Sequence, residues 1–212
     1  MSLAFSTKAD KKPFSEVICS TNEVILAQCY KEITTRTYKE EGINQGSTVK
    51  IVSSYDTSCE SFGIITKINN SSLDNIHKPS ALGLNSKELE ELQPQVYDLL
   101  RKEIEIYLFA YRDKSQVIVK SPPTNPMMVH DFVYLTTKEE VSELTEEFST
   151  LANLIKKNKL RLELLIGLIT TGYKLRSCNY NYLVKTGQEI SSIFSDEVES
   201  LIPVLKTLAT IK

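Results

Sequence analysis

The sequence predicts an α+β fold: a small antiparallel six-stranded β-barrel with a helical insert, followed by a C-terminal helical hairpin or three-helix bundle. Three observations lead there. Short runs rich in β-branched residues, separated by turn formers, fill the chain up to Leu135. Beyond Thr137, apolar residues recur instead at intervals of three and four. The strands come first and the helices second, whereas a doubly wound fold would alternate them. The expected division is 1–136 for the barrel, with its insert at about 85–102, and 137–212 for the helices.

The first strand is expected around Val17, Ile18 and Cys19 and the second from Val24 to Cys29, with Thr21-Asn22 closing a hairpin between them. Gly42 and Gly46 mark a longer connection to a third strand at Val49. The polar stretch 53–61 then leads into a fourth at 62–68. In the insert, Asn85 or Ser86 can cap a helix whose first turn holds Glu88, and Leu89, Leu92, Val96, Leu99 and Leu100 follow at helical spacing. Proline is tolerated at the first position of a helix and disruptive inside one, so one short helix should end near Gln93 and another begin at Pro94. Strand character returns at 104–111, 117–120 and 132–135. Pro122, Pro123 and Pro126, which have no amide hydrogen to donate, hold the last connection extended.

Thr137 and Glu140 form a capping box, in which each side chain satisfies the other residue's amide at a helix start. A long helix is expected from there, with Val141, Leu144, Phe148, Leu151 and Ile155 on one stripe. From Leu160 to Leu175 apolar residues appear on nearly every side, which marks a central helix. A third run carries Ile190, Phe194, Val198, Leu201, Leu205 and Leu208 on one face, and Pro203 is expected to kink or restart it.

Composition narrows the function by exclusion. The chain has 212 residues, 41% hydrophobic and 25% charged, which suits a folded globular protein. Its net charge of −2 gives no long-range attraction to nucleic acid or anionic lipid, so any such binding has to be local. Cys19, Cys29, Cys59 and Cys178 lack the close spacing of a zinc or redox site, and reduced thiols in a cytoplasmic protein are expected. No apolar stretch approaches the roughly 18 residues of a membrane span. The basic residues near the start follow a short apolar stretch, the reverse of a secretory signal. There is no Gly-x-x-x-x-Gly-Lys-Ser/Thr loop to cradle a triphosphate, and no cofactor is expected.

The hairpin FSEVICSTNEVILAQCY, the segments GSTVKI and FGIITKI, the insert HKPSALGLNSKELEELQPQVYDLL and the segment PPTNPMMVHDFVYLTTKEEV together resemble an uncharacterised cyanobacterial family. Its members begin with a HAS barrel, the six-stranded domain shared by the archaeal HerA helicase and the catalytic and regulatory subunits of ATP synthases. The resemblance covers roughly the first 150 residues. It implies a barrel and a role in assembly. In those relatives nucleotide chemistry belongs to a later domain, of which this sequence has no sign.

Several constellations have a chemical and an ordinary structural reading. His77 and His130 are the side chains whose usual titration lies near neutrality, but no Gly-x-Ser-x-Gly elbow accompanies either, and hydrogen bonding at loops or strand ends is the expected role. Glu88, Glu90 and Glu91, and Glu139, Glu140, Glu143, Glu146 and Glu147, lie early in expected helices, where carboxylates favour the positive end of the helix dipole. Lys156, Lys157, Lys159 and Arg161 suit a helix end in the same way. The segment 173–185 sets Tyr173, Lys174, Arg176, Tyr180, Tyr182 and Lys185 together at a junction between helices. Cations beside rings suit a protein interface, unpaired bases or plain bundle packing. The expectation is a non-enzymatic interaction protein, an adaptor or assembly factor, binding a protein partner or itself through this segment. The alternative is association with single-stranded nucleic acid.

Overall fold

The structure, a computed structural model, describes residues 12–31, 43–72 and 80–211. Those residues hold seven strands: β1 (Ser15–Ser20), β2 (Val24–Cys29), β3 (Thr48–Val52), β4 (Glu60–Ser72), β5 (Leu100–Arg112), β6 (Ile118–Val119) and β7 (Phe132–Leu135). They also hold six α-helices: α1 (Ser86–Leu92), α2 (Lys138–Leu144), α3 (Ser149–Lys157), α4 (Leu164–Leu175), α5 (Tyr180–Ile193) and α6 (Val198–Ala209). Gly42, expected in the connection to β3, lies outside the described residues, and Gly46 takes the left-handed turn conformation there at φ +88°.

Six strands close an antiparallel barrel in the order β1, β2, β5, β4, β3, β7 and back to β1. Closure pairs every stave on both sides, so the ring has no open edge. The strand expected at 117–120 is no stave: β6 is two residues long and adds to β5 outside the ring. The Asp113 carboxylate, which accepts from the amides of Ser115 and Val117, fixes the turn before it. The first hairpin turns one residue later than expected. Its tip is Asn22 and Glu23, because the Thr21 amide donates to the Val24 carbonyl at 2.8 Å and the Val24 amide donates to the Thr21 hydroxyl at 2.9 Å.

Two apolar cores share the strands β4 and β5. Val17, Ile25, Ile51, Ile65, Ile106 and Leu108 fill the barrel. Phe62, Ile64, Phe109 and Ala110 point outward and join the core of the helices. Neighbours such as Ile64 and Ile65 therefore serve different cores, as expected when a strand is covered on both faces. A side chain at Gly63 would enter the barrel's filled interior: a Cβ there would lie 2.3 Å from Ile106 Cγ2 and 2.8 Å from the Tyr107 carbonyl.

The first C-terminal helix is tied to the barrel at its start. Thr137 and Glu140 make the expected capping box, and the same Glu140 carboxylate takes the Lys50 ammonium of β3 at 2.7 Å. Lys50 also meets Glu60 at 3.0 Å, and Arg112 takes the other oxygen of Glu60 at 2.6 Å. Burial alone would pull the Lys50 ammonium down, but Glu140 and Glu60 outweigh it and hold it above the ordinary lysine value.

The helical region departs from expectation in its breaks. The long helix expected from Thr137 is interrupted at 145–148, although Val141, Leu144, Phe148, Leu151 and Ile155 are all buried on its stripe. Among the described residues the three apolar runs give five helices, α2 to α6. The third run breaks at 194–197 instead of at Pro203, which sits exposed inside α6. A proline on the solvent side of a helix's early turns removes one bond whose acceptor water can satisfy.

None of the described residues of the insert belongs to either core. Asn85 caps α1, accepting from the amides of Lys87 and Glu88, and Glu88 returns a carboxylate to the Asn85 amide. A 3-10 helix, Pro94–Leu99, follows with proline at its start, and the insert ends there because β5 begins at Leu100, ahead of the expected boundary at 102. None of its described side chains between 80 and 99 is buried.

Replacing Gly63 by Ala is expected to lower stability in urea unfolding by about 1–3 kcal/mol through overpacking. Gly167→Ala in α4, where a Cβ meets nothing within 4 Å, is expected to raise it by up to about 1 kcal/mol. Equal effects of the two substitutions would contradict a filled barrel interior.

Candidate interaction surface

The segment 173–185 joins α4 to α5 through a tight reversal. Ser177 and Cys178 are both left-handed, at φ 53° and 58°, and Asn179 then caps α5 by accepting from the Asn181 amide at 3.0 Å. Consecutive left-handed residues without a glycine are uncommon, so the surroundings must hold them. What holds them is a buried junction with the break after α2.

Three of the six expected partner-binding residues build that junction. Tyr173 and Tyr182 are buried, Tyr182 to 8% exposure, and the Tyr182 hydroxyl donates to the Thr145 carbonyl at 3.1 Å. Arg176 lies over the Tyr182 ring, 4.5 Å from its centre. Its guanidinium donates to the Ser142 carbonyl at 2.7 Å, to the Thr145 hydroxyl at 3.0 Å and to the Gly172 carbonyl at 3.0 Å. One cation thus serves the carbonyl ends of both α2 and α4, where positive charge is favoured. Burial pushes the Tyr182 phenol up, against the pull of Thr145 and Arg176, which keeps it a neutral donor. Gly172 leaves the room: a Cβ there would lie 2.2 Å from the Tyr182 hydroxyl.

The other three, Lys174, Tyr180 and Lys185, are exposed, Tyr180 to 68%. Val184 stands one turn from Tyr180 and is also exposed, so α5 presents an apolar pair beside Lys185. The expected cluster is therefore divided, half holding the bundle and half displayed. Sequence reasoning had no way to separate them, since both sets lie within one short stretch. Val184 was missed because a valine in a helix reads as core.

The other constellations take structural roles. In the basic run, Lys156 bonds Asp196 and the Ile193 carbonyl, Lys157 meets Glu23 at 2.7 Å, and Arg161 faces Glu163 at 3.6 Å. A cleft of about 570 Å³ between the first hairpin and α3 is crossed by the Lys157 and Glu23 pair. Glu189 of α5 caps α3 from outside, accepting from the Phe148 and Ser149 amides at 3.1 and 2.7 Å. His130 contacts Glu16 at 3.2 Å, and Tyr30 donates to the same carboxylate at 2.7 Å. The Tyr30 bond, then His130, holds Glu16 below its ordinary value. His77 lies outside the described residues. Among the described residues no three or more His, Cys, Asp or Glu side chains are grouped to hold a metal, and no helix is long and apolar enough to cross a membrane.

The second exposed surface is the insert. Leu92 is 66% and Leu99 53% exposed, with Leu82 nearby in sequence also exposed. Their helical spacing was legible in the sequence, and their exposure was not. No family model fits the chain and no curated protein matches it.

Tyr182→Phe is expected to cost about 1 kcal/mol in urea unfolding and Arg176→Ala about 2–3 kcal/mol, since charge-assisted bonds to buried carbonyls are lost. Lys185→Ala is expected to stay within about 0.5 kcal/mol of the parent. A loss at Lys185 equal to that at Arg176 would contradict the division of the segment.

Proposed function

We propose that this chain is a non-enzymatic interaction protein, an adaptor or assembly factor whose barrel and bundle form a scaffold for two displayed surfaces. The observation that carries the reading is the insert: a capped helix and a 3-10 turn with exposed leucines and, among the described residues, no buried side chain. Capping residues specify its conformation, and yet it has no core of its own. Exposed leucines such as Leu92 of α1 and Leu99 of the 3-10 turn favour burial by a partner.

The resemblance to proteins that begin with a HAS barrel supports the same reading, since that barrel serves assembly in the ATP synthase and helicase relatives. Nucleic-acid association has less support. It needs rings and cations side by side, and Arg176, Tyr173 and Tyr182 are occupied inside the bundle.

The test is capture from an extract of the source cells on the immobilised full chain, with proteins quantified by mass spectrometry. The parent is compared with a Leu92→Asp/Leu99→Asp variant. The expected result is a specific protein recovered at least about tenfold less by the variant, at an unchanged melting temperature. Equal recovery of the same proteins by both forms would contradict the role given to the insert.

A further inference from the structure

We propose that a second copy of this chain is a partner of the insert: the insert of one protomer lies on the outer face of α5 of the other, and the reverse contact closes a twofold dimer. This rests on the interaction reading above and names its occupant. The two faces are complementary. Between 80 and 99 the insert carries Lys87 against Glu88, Glu90, Glu91 and Asp98. Asp98 is paired with Lys31 and Glu88 closes the helix cap, which leaves Glu90 and Glu91 displayed beside the exposed Leu92.

The outer face of α5 has the opposite character. Tyr180 and Val184 supply apolar area, Lys185 adjoins them, and Lys174 precedes them at the end of α4. The acid of α5, Glu189, is turned to the Phe148 and Ser149 amides. An acidic apolar face thus stands against a basic apolar one, which is the arrangement that favours specific encounter. Both faces are exposed in the single chain, so they do not cover each other there. Roughly 25 Å of strand separates Ile64, where the helices pack, from Ser72, where the ribbon runs out toward the insert.

Symmetry decides the form of the assembly. A one-way contact between two different faces propagates into an open chain unless it closes, whereas the reciprocal pair closes at two copies. It also makes the contact twice.

Sedimentation velocity of the full chain tests this with two surface variants. Lys174→Glu/Lys185→Glu leaves acid on both faces, and Glu90→Lys/Glu91→Lys leaves base on both. The parent is expected to sediment as a dimer in the micromolar range. Each variant alone is expected to dimerise at least about tenfold more weakly. Mixed at equal concentration, the two are expected to recover the dimer, since acid then meets base at both contacts, a rescue not open to an unfolded chain. A parent that stays monomeric at about 100 μM overturns the proposal. So does a variant that dimerises like the parent, or a mixture that stays monomeric. A monomeric parent that still captures another protein through Leu92 and Leu99 would overturn this inference and leave the interaction reading standing.

Discussion

The ribbon of β4 and β5 pairs from Glu60 opposite Arg112 to Ser72 opposite Leu100, and everything else in the molecule is placed by it. Its inner face closes the barrel with Ile65, Ile106 and Leu108, while its outer face gives Phe62, Ile64 and Phe109 to the helical core. The insert leaves from the region beyond its far end. Fully burying a side chain of this size contributes about 1.5–3 kcal/mol, against about 1 kcal/mol or less for an exposed ion pair. Apolar contact along the ribbon therefore outweighs surface pairs such as Lys157 with Glu23 in holding helices to barrel. The largely buried cluster of Lys50, Glu60, Glu140 and Arg112 fixes where the first helix begins.

That arrangement accounts for what was legible in the sequence. Strands announced themselves through β-branched runs, and the caps at Asn85 and Thr137 through side chains three residues apart, because both signals are local. The helix breaks at 145–148 and 194–197 were hidden, since the apolar spacing runs across them without interruption. What makes the first break stable is distant: Arg176 and Tyr182 take the carbonyls and hydroxyl of Ser142 and Thr145, and Glu189 takes the amides that open α3. No reading of 137–157 alone contains those partners.

The same distance explains the divided surface at 173–185. Composition identified a cluster of cations and rings, but the left-handed pair Ser177 and Cys178 decides which of them turn inward. Tyr182 and Arg176 became structural, and Tyr180 and Lys185 remained on view. For the insert the helical spacing of the leucines was legible, but their exposure was not, since spacing alone does not say what covers a helix face. Both displayed surfaces thus come from elements whose local pattern is shared with a core.

The central claim is that one ribbon couples the two cores into a single cooperative unit. Native-state amide hydrogen exchange on the full chain measures this directly, residue by residue. Amides of Ile106 in β5 and of Leu168 and Ile169 in α4 are predicted to exchange with the same, global free energy of opening. Exchange of the α4 amides at a clearly lower free energy, with the barrel strands still protected, would contradict it.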